Sequence, residues 1–313
     1  MVRQLLKSVR EYKKSSFLTP LFVTFEVILE VIIPMLMAKL IDFGIEAGNM
    51  NYILKMGFAL IVCCIVSLTF GALSGKHAAI ASAGFAKNLR QDMYEKVQTY
   101  AFSNIDKFSS ASIVTRLTTD ITNIQNAYQM AIRVAVRSPV MLVFALFMAF
   151  QINAELAPIF VIAIPILAIG LSIIIYHAKN IFERVFHTYD ELNNVVQENL
   201  HGIRVVKSFV REDFETEKFS NVSKIIYKDF SKAEKILAFN APLMQFCAYG
   251  CMLLISWLGA KLIVASGNNP ALGMTTGDLT SMFSYTMQIL MSLMMFSMVF
   301  VMITISYASM ERA

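Results

Sequence analysis

The sequence has little of what a water-soluble domain needs. Only 16% of its 313 residues are charged, against about 25% in a typical soluble domain, while 57% are hydrophobic. The same hydrophobic fraction excludes an intrinsically disordered chain. A formal net charge of +5 is too small and too dispersed to indicate nucleic acid as a partner. These shortages point to a protein embedded in a lipid bilayer.

Residues that carry chemistry are also scarce. No histidine or further cysteine gives metal-ligand spacing around the cysteines, and the four histidines form no cluster of the H-E-x-x-H type. No nucleophile is paired with a base in the sequence. We therefore expect no catalytic, cofactor-binding or metal-binding residues in this chain. The cysteines all lie in apolar runs, as is typical of small buried residues: Cys63, Cys64, Cys247 and Cys251.

Long apolar runs are abundant instead. A helix that crosses a bilayer needs ~20 mainly apolar residues, and six stretches of the sequence meet this length approximately. The first is too long and too polar for a cleavable signal peptide, so we expect it to remain as a span. The sequence thus predicts an all-α membrane protein with six transmembrane helices: 17–41, 52–75, 134–150, 156–176, 241–266 and 279–305.

The spans alternate between short and long connections. Two long polar segments, 76–137 and 177–239, contain 32 of the 49 charged residues and no proline. Each is predicted to form two antiparallel helices that extend ~35–40 Å from the membrane, at 1.5 Å per residue. We call these segments the stalks. They continue the neighbouring spans, so residues 1–313 are expected to form a single transmembrane domain.

Lysine and arginine predict the orientation. The N-terminal segment, the two stalks and the C-terminus contain 24 of the 27 basic residues, and only Lys39, Lys55 and Lys261 lie on the other side. Because basic residues concentrate on the cytoplasmic side, both termini and both stalks are predicted to be cytoplasmic. The protein is then a multi-pass protein of the cell membrane.

The first sixteen residues predict an interfacial elbow helix. Their apolar residues recur at helical spacing, with basic residues on the other faces. Such a pattern favours a short helix lying at the inner membrane surface. A solvated, frayed N-terminus is the alternative. The apolar residues are Val2, Leu5, Leu6 and Val9.

Each stalk has a turn at its tip. In the first tip, Ser109 or Ser110 is suited to cap a short helix. In the second, Phe209 and Phe214 lie among charged residues after Gly202, which loosens the helix. Apolar side chains ringed by charge are typical of a docking surface. A plain helical corner remains the alternative at this point.

At the tips the sequence resembles a known family. The runs DKFSSASIVTRLTTDI (106–121), ENLHGIRVVKSFVREDFE (198–215) and SYASMERA (306–313) resemble the two coupling regions and the exit from the sixth span of ATP-binding cassette (ABC) exporters. The six spans and the loop lengths agree over the whole chain. The resemblance is strongest to bacterial multidrug half-transporters that pair as heterodimers.

The resemblance implies a fold and a function. The chain would be the permease half of an ATP-driven exporter of amphipathic or drug-like molecules, paired with a second half in a homodimer or heterodimer. ATP and magnesium would bind a nucleotide-binding domain absent from these residues. The tips would dock on ATPase domains through Phe108, Ser109, Ser110, Ala111 and Ser112, and through Phe209, Arg211, Glu212, Phe214 and Glu215.

The ATPase motifs themselves are missing. The fragment from Gly71 to His77 has the wrong glycine spacing for the G-x-x-x-x-G-K-[ST] loop that cradles phosphate, and no LSGGQ signature is present. Gly71 and Gly75 are more typical of close helix packing in membranes. We expect no ATP hydrolysis by this chain alone. The ATPase is expected either to follow Ala313 or to be a separate protein.

Two carboxylates lie in the first span. Glu26 and Glu30 are four residues apart and share a helix face. Because a carboxylate at membrane depth is costly, they are candidates for attracting cationic substrates. A structural ion pair with another span is the alternative. They are also the basis of a different function, in which an ion-gradient-driven transporter or channel uses them as a proton or cation relay.

The sixth span is rich in methionine. Its flexible thioethers suit a surface that accepts ligands of many shapes. Packing against lipid or within the core is the alternative. With three neighbouring side chains, these residues are candidates for the substrate pathway: Gln288, Met291, Ser292, Met295, Phe296, Met298 and Met302.

Overall fold

The fold is built from long helices. The computed structural model describes residues 5–100, 110–270 and 273–312, and within these ranges it contains helices and turns but no strand. We number the α-helices α1 to α8. They are α1 (Lys13–Leu40), α2 (Met50–Gln98), α3 (Ser110–Thr115), α4 (Ile121–Ile152), α5 (Pro158–Ser208), α6 (Glu212–Leu237), α7 (Asn240–Ser266) and α8 (Thr276–Arg312).

Six helical stretches in the described part are long and apolar enough to cross a membrane, which confirms the predicted all-α fold with six spans. They follow the predicted order. Two shorter helical forms join them: π-type turns at Ile41–Glu46 continue α1, and others at Arg116–Asp120 lead into α4. The six stretches are Leu6–Glu46, Met50–Gln98, Ile113–Ile152, Pro158–Ser208, Glu212–Ser266 and Thr276–Val299.

Two helices are much longer than a bilayer is thick. Helix α2 has 49 residues and α5 has 51, which corresponds to about 75 Å each at 1.5 Å per residue. The hydrocarbon core is only ~30 Å thick. Each helix therefore has an apolar half of span length and a polar half that extends past it.

The helices divide into two compact units. The first, which we call the bundle unit, comprises Met1–Ile164 and Ala248–Ala313, and the second, the arm unit, comprises Pro165–Cys247. The core of the bundle unit is formed by α1, α4, the start of α5, α7 and α8. Its largest fully buried side chains include Phe160, Ile255, Met282, Tyr285 and Ile289.

A second apolar cluster in the bundle unit fixes the N-terminal segment. Residues Leu6–Tyr12 form a 3-10 segment that is interrupted at Arg10, where φ is 39°. Val9 is buried against Phe85 and Leu89 of α2. Tyr12 covers Gly84, where an added Cβ would lie 2.4 Å from the tyrosine ring. The membrane-surface position of residues 1–16 stays a prediction, and residues 1–4 lie outside the described part.

Polar contacts fasten the same segment. The Ser8 hydroxyl donates to Asp92 Oδ2 (2.6 Å), and Arg10 Nη2 donates to Asp92 Oδ1 (2.5 Å). Asn88 Nδ2 of α2 donates to the Ser8 carbonyl oxygen (3.0 Å). The segment is thus held on α2 by both packing and hydrogen bonds.

The arm unit is an antiparallel helix pair. The polar half of α5 packs on α6, with Val185 and Ile226 among its buried apolar residues. Ion pairs flank this core, Arg184 Nε with Asp229 Oδ2 and Lys218 Nζ with Glu198 Oε2, each at 2.6 Å. A turn at residues 238–239 separates α6 from α7, so the second stalk does not run into the fifth span as one unbroken helix.

Candidate functional site

An ion triad joins α1 to α4 within the apolar bundle. Arg137 Nη1 donates to Glu26 Oε1 (2.6 Å), and Arg137 Nη2 donates to Glu30 Oε2 (2.7 Å). Glu26 is buried, with 8% of its surface exposed. The two glutamates lie one helical turn apart, so one guanidinium reaches both carboxylates. The structural alternative, an ion pair with another span, is the arrangement observed.

The triad carries an excess of negative charge. Two carboxylates face one guanidinium, and the buried Glu26 Oε2 has no hydrogen-bond partner among the described residues. Gly71 of α2 makes room for this carboxylate, because an added Cβ would lie 3.1 Å from Glu26 Oε1. Arg133, one turn before Arg137, lies beside Gly75. The Gly71 contact agrees with the close packing predicted at that position, whereas at Gly75 the nearest atom, Arg133 Nη1, would lie at an ordinary contact distance of 3.7 Å.

Sequence reasoning missed Arg137. The predicted first stalk ends at this residue, which also lies three residues inside the predicted span that starts at Val134. An arginine at that depth is costly without a partner, as are Glu26 and Glu30. Opposite charges inside neighbouring spans are the signal that predicts such a pairing.

The methionine face of α8 is exposed within this chain. Met291, Met295 and Met298 are exposed, with 55%, 43% and 60% of their surfaces accessible. Phe296 is also exposed, and Met302 is half-buried. Ser292 is different, because it lies on the packed face and its hydroxyl donates to the Ile289 carbonyl oxygen of its own helix (2.7 Å).

Gln288 connects this face to the triad. Its Nε2 donates to the Glu30 carbonyl oxygen (3.3 Å), and its Oε1 is buried with no partner among the described residues. The candidate pathway residues of α1 and α8 are therefore neighbours through Gln288 and Glu30. Glu26 Oε2 and Gln288 Oε1 are thus two buried acceptor atoms without a hydrogen-bond partner among the described residues.

The tip of the arm unit is a tight turn between α5 and α6. The Arg211 N–H donates to the Val206 carbonyl oxygen (3.0 Å), and Val210 has a φ of 50°. Phe209 and Phe214 are exposed, with 74% and 58% of their surfaces accessible. Arg211 is exposed, while Glu212 and Glu215 are half-buried. The two phenylalanines thus lie on the surface among charged groups, as the sequence pattern indicates.

Charged and polar side chains make contacts at the start of α6. Lys207 Nζ lies 3.2 Å from Glu212 Oε1. A hydrogen bond from its own backbone N–H, together with the Lys207 ammonium, lowers the pKa of the Glu212 carboxyl. Asn199 Nδ2 donates to Glu215 Oε2 (3.2 Å). A groove of about 310 Å³ lies behind the turn, between residues such as Val195, Leu200 and Phe219.

The first tip is described only in part. Phe108 and Ser109 lie outside the described residues. Ser110, Ala111 and Ser112 belong to the short helix α3, which the structure describes as backbone only at these three positions. Among the described residues, no three His, Cys, Asp or Glu side chains are grouped so that they could hold a metal ion.

The six apolar helical stretches of the described residues, five of which have 40 residues or more, define a multi-pass helical membrane protein. The chain belongs to the family described as ABC transporter transmembrane region, which matches residues 16–294. The resemblance seen at the tips is thereby confirmed. The charge pattern and the number of spans restrict the chain to multi-pass membrane proteins, and the family match identifies the family within that class.

Curated relatives agree with this family. The uncharacterized ABC transporter ATP-binding protein YfiB of Bacillus subtilis is 27% identical over 311 residues, covering 99% of this chain and 53% of the relative. Rv1273c of Mycobacterium tuberculosis, named in the same words, is 27% identical over 301 residues, 94% of this chain and 50% of the relative. The ATP-dependent lipid A-core flippase of Pseudoalteromonas translucida is 23% identical over 223 residues, covering 71% of this chain and 38% of the relative. The chain spans about half the length of these relatives or less.

Proposed function

We propose that this chain is the membrane-spanning half of an ATP-driven exporter. It forms the substrate pathway and couples it to ATP hydrolysis in a nucleotide-binding domain outside these 313 residues. The observation that carries the proposal is the arm tip, where Phe209 and Phe214 are exposed at the end of a helix pair with its own apolar core. Exposed aromatic residues within a charged rim suit a protein-docking surface. The family match supports the same assignment.

Orientation and partners follow from this function. Both termini and both stalks lie in the cytoplasm, as the distribution of basic residues favours. The tips contact ATPase domains, where ATP and magnesium bind. A second half-transporter completes the pathway. Most large apolar side chains in the first half of α2 are exposed in this chain, among them Leu54, Phe58, Ile61, Ile65 and Leu68, which supports contact with lipid or with that second half.

The substrates are amphipathic, drug-like molecules, preferentially those with a basic group. The exposed thioethers of α8 adapt to varied apolar shapes, and the triad adds a net negative charge beside them. Arg137 neutralises part of this charge, so the preference for cations is modest. The lipid A-core flippases among the relatives favour a second candidate, the movement of a lipid from one leaflet to the other.

The triad argues against the ion-gradient alternative. A proton or cation relay needs carboxylates that exchange their partners readily. Glu26 and Glu30 are instead both held by one guanidinium, at 2.6 Å and 2.7 Å, so neither carboxylate is free to exchange partners. The two long stalks outside the membrane also have no role in a simple proton or cation relay.

The coupling role is tested at the tip. In the full-length transporter, replacing Phe209 and Phe214 together by alanine is expected to lower transport about tenfold, because central aromatic residues dominate docking energy. Basal ATPase activity should persist. The matched control is Tyr227→Ala, an equally exposed aromatic residue further along α6. Unchanged transport in the double variant would contradict the coupling role.

A further inference from the structure

Three polar groups beside the ion triad have no partner among the described residues. Glu26 Oε2 and Ser74 Oγ are buried atoms that make no hydrogen bond within this part of the chain. Ser74 as a whole is fully buried. The half-buried Arg133 guanidinium makes no ion pair or hydrogen bond to any described residue. One acceptor, one hydroxyl and one cation are therefore available to a ligand.

The three groups lie around two glycines of α2. A Cβ added at Gly71 would lie 3.6 Å from Glu26 Oε2, and one added at Gly75 would lie 3.7 Å from Arg133 Nη1. The two glycines are four residues apart, which corresponds to a rise of about 6 Å along the helix. Ser74 lies between them in the sequence and belongs to the buried face of α2. The open carboxylate oxygen and the guanidinium thus lie about one helical turn apart, beside a hydroxyl.

The charges around these glycines balance in sum but not in pairs. Glu26, Glu30, Arg133 and Arg137 carry no net formal charge. Arg137 bonds both carboxylates, however, and leaves Arg133 without a partner among the described residues. An uncompensated charge within an apolar bundle is costly. A simple ion would compensate only one of the two open charges, whereas a ligand with a cationic and an anionic group compensates both.

These residues lie at the depth of lipid headgroups. The predicted second span ends at Gly75, and the predicted third span starts directly after Arg133. With both termini in the cytoplasm, as proposed above, this end of the spans lies in the inner leaflet. Toward the outer side, α2 continues with exposed apolar residues that offer a surface to acyl chains: Ile61, Ile65 and Leu68.

We propose that the α2 glycine site, defined as Glu26, Gly71, Ser74, Gly75 and Arg133, binds the zwitterionic headgroup of an inner-leaflet lipid. The phosphate accepts charge-assisted hydrogen bonds from Arg133. A primary ammonium donates to Glu26 Oε2, and the Ser74 hydroxyl donates to the phosphate. The two glycines leave room for the headgroup because they have no side chains.

This chemistry selects an amine that has N–H bonds. Arg137 Nη1 occupies only Oε1 of Glu26 (2.6 Å), so Oε2 accepts a donor without breaking the triad. A phosphoethanolamine headgroup has such donors beside its phosphate. A phosphocholine headgroup has the same charges but no N–H, and a phosphoglycerol headgroup has no cation. A site that bonds an N–H group rejects analogues that lack it. The inference goes beyond the proposed function and uses only the orientation given there.

Selective lipid retention tests the site. The full-length transporter, in detergent and without nucleotide, is mixed with equal amounts of phosphatidylethanolamine, phosphatidylcholine and phosphatidylglycerol. Native mass spectrometry then identifies the first lipid bound per chain. We expect phosphatidylethanolamine about tenfold more often than either other lipid, from one charge-assisted hydrogen bond. Equal retention of the three lipids, or a preference for phosphatidylglycerol, would overturn the proposal.

A charge variant locates the binding. Arg133→Gln removes the phosphate donor and leaves the triad in place, so the preference for phosphatidylethanolamine should be lost. The matched control is Lys76→Gln, an exposed cation at the same depth on the side of α2 away from Ser74. This control should keep the preference. An Arg133→Gln variant that also keeps it would contradict the assignment.

A steric variant tests the same space without a change of charge. Gly75→Val places a side chain against Arg133 and should abolish the lipid preference. Gly57→Val is the control, because nothing lies within 4 Å of an added Cβ at that position. Equal preference in the two variants would show that the headgroup does not enter beside Gly75.

Two further measurements separate the sources of the ligand and the two proposals. Glycerophosphoethanolamine has the same headgroup without acyl chains, and a large excess of it should displace little bound lipid. Full displacement would overturn the lipid assignment and leave a soluble zwitterion of the same chemistry as the ligand. ATPase activity without selective lipid retention would overturn the lipid site alone. Selective retention in a protein without ATPase activity or transport would support the site and overturn the exporter assignment.

Discussion

The Glu26–Arg137–Glu30 triad shows how single residues constrain this bundle. Removing one partner of a buried ion pair leaves a charge without compensation, which costs about 3–5 kcal/mol. Arg137→Gln should therefore destabilise the full-length protein by about that amount, measured as the loss of thermal stability in detergent. Arg133→Gln, one turn away and without an ion pair among the described residues, is the control and should change stability little.

Neutral substitution of all three triad residues should reverse the loss of stability expected for Arg137→Gln. Adding Glu26→Gln and Glu30→Gln to Arg137→Gln removes every uncompensated charge. Most of the lost stability should return. A triple variant as unstable as Arg137→Gln alone would show that the arginine acts through packing and not through charge.

Gly84 gives a residue-scale prediction about the N-terminal segment. A methyl group at this position would collide with the Tyr12 ring, so Gly84→Ala should release Leu6–Tyr12 from α2 and make it sensitive to protease. Gly57→Ala on the same helix is the control, because nothing lies within 4 Å of its added Cβ. Tyr12→Ala should relieve the collision in the Gly84→Ala background. Equal protease sensitivity of the Gly84 and Gly57 variants would contradict this contact.

At the scale of elements, the sequence predicted the spans because their length and apolar character are local properties. It did not predict the break at residues 238–239 or the π-type turns after Leu40, since these depend on how neighbouring helices pack. It also did not predict that Ser281 and Tyr285 of α8 donate to the Pro34 and Val31 carbonyl oxygens of α1. In an apolar run these two residues resemble ordinary membrane residues, and their partners lie on a helix about 250 residues away in the chain.

The arm unit depends on its narrow apolar core. Val185 is 1% exposed on α5, and Val185→Ala should destabilise the α5–α6 pair by about 1–3 kcal/mol through lost contacts and a small cavity. Amide hydrogen exchange in α6 should become faster. Val196→Ala on the same helix, at an exposed position, is the control. Equal exchange rates in the two variants would show that the core of the pair lies elsewhere.

At the scale of the whole molecule, the energy source distinguishes the exporter from a gradient-driven carrier. In vesicles containing the full-length protein and its partner half, uptake of an amphipathic cation should require ATP. It should continue when an ionophore collapses the proton gradient. Transport that stops with the gradient and ignores ATP would favour the relay hypothesis for Glu26 and Glu30.

Asp42, which follows α1, caps the start of α8 by accepting hydrogen bonds from Thr275 Oγ1 (2.7 Å) and the Gly277 N–H (2.8 Å), and this cap has a consequence for biogenesis. Asp42 leaves the ribosome 233 residues before Thr275, so the first helix enters the membrane long before its last neighbour exists. Throughout that interval the Glu30 carbonyl, which has no helical donor because Pro34 lacks an N–H and which Gln288 serves in the finished bundle, depends on water, the insertion machinery or temporary neighbours. Assembly of the domain is therefore completed by its final helix, and a nascent chain stopped before residue 275 should be recognised by quality-control proteases as unfinished.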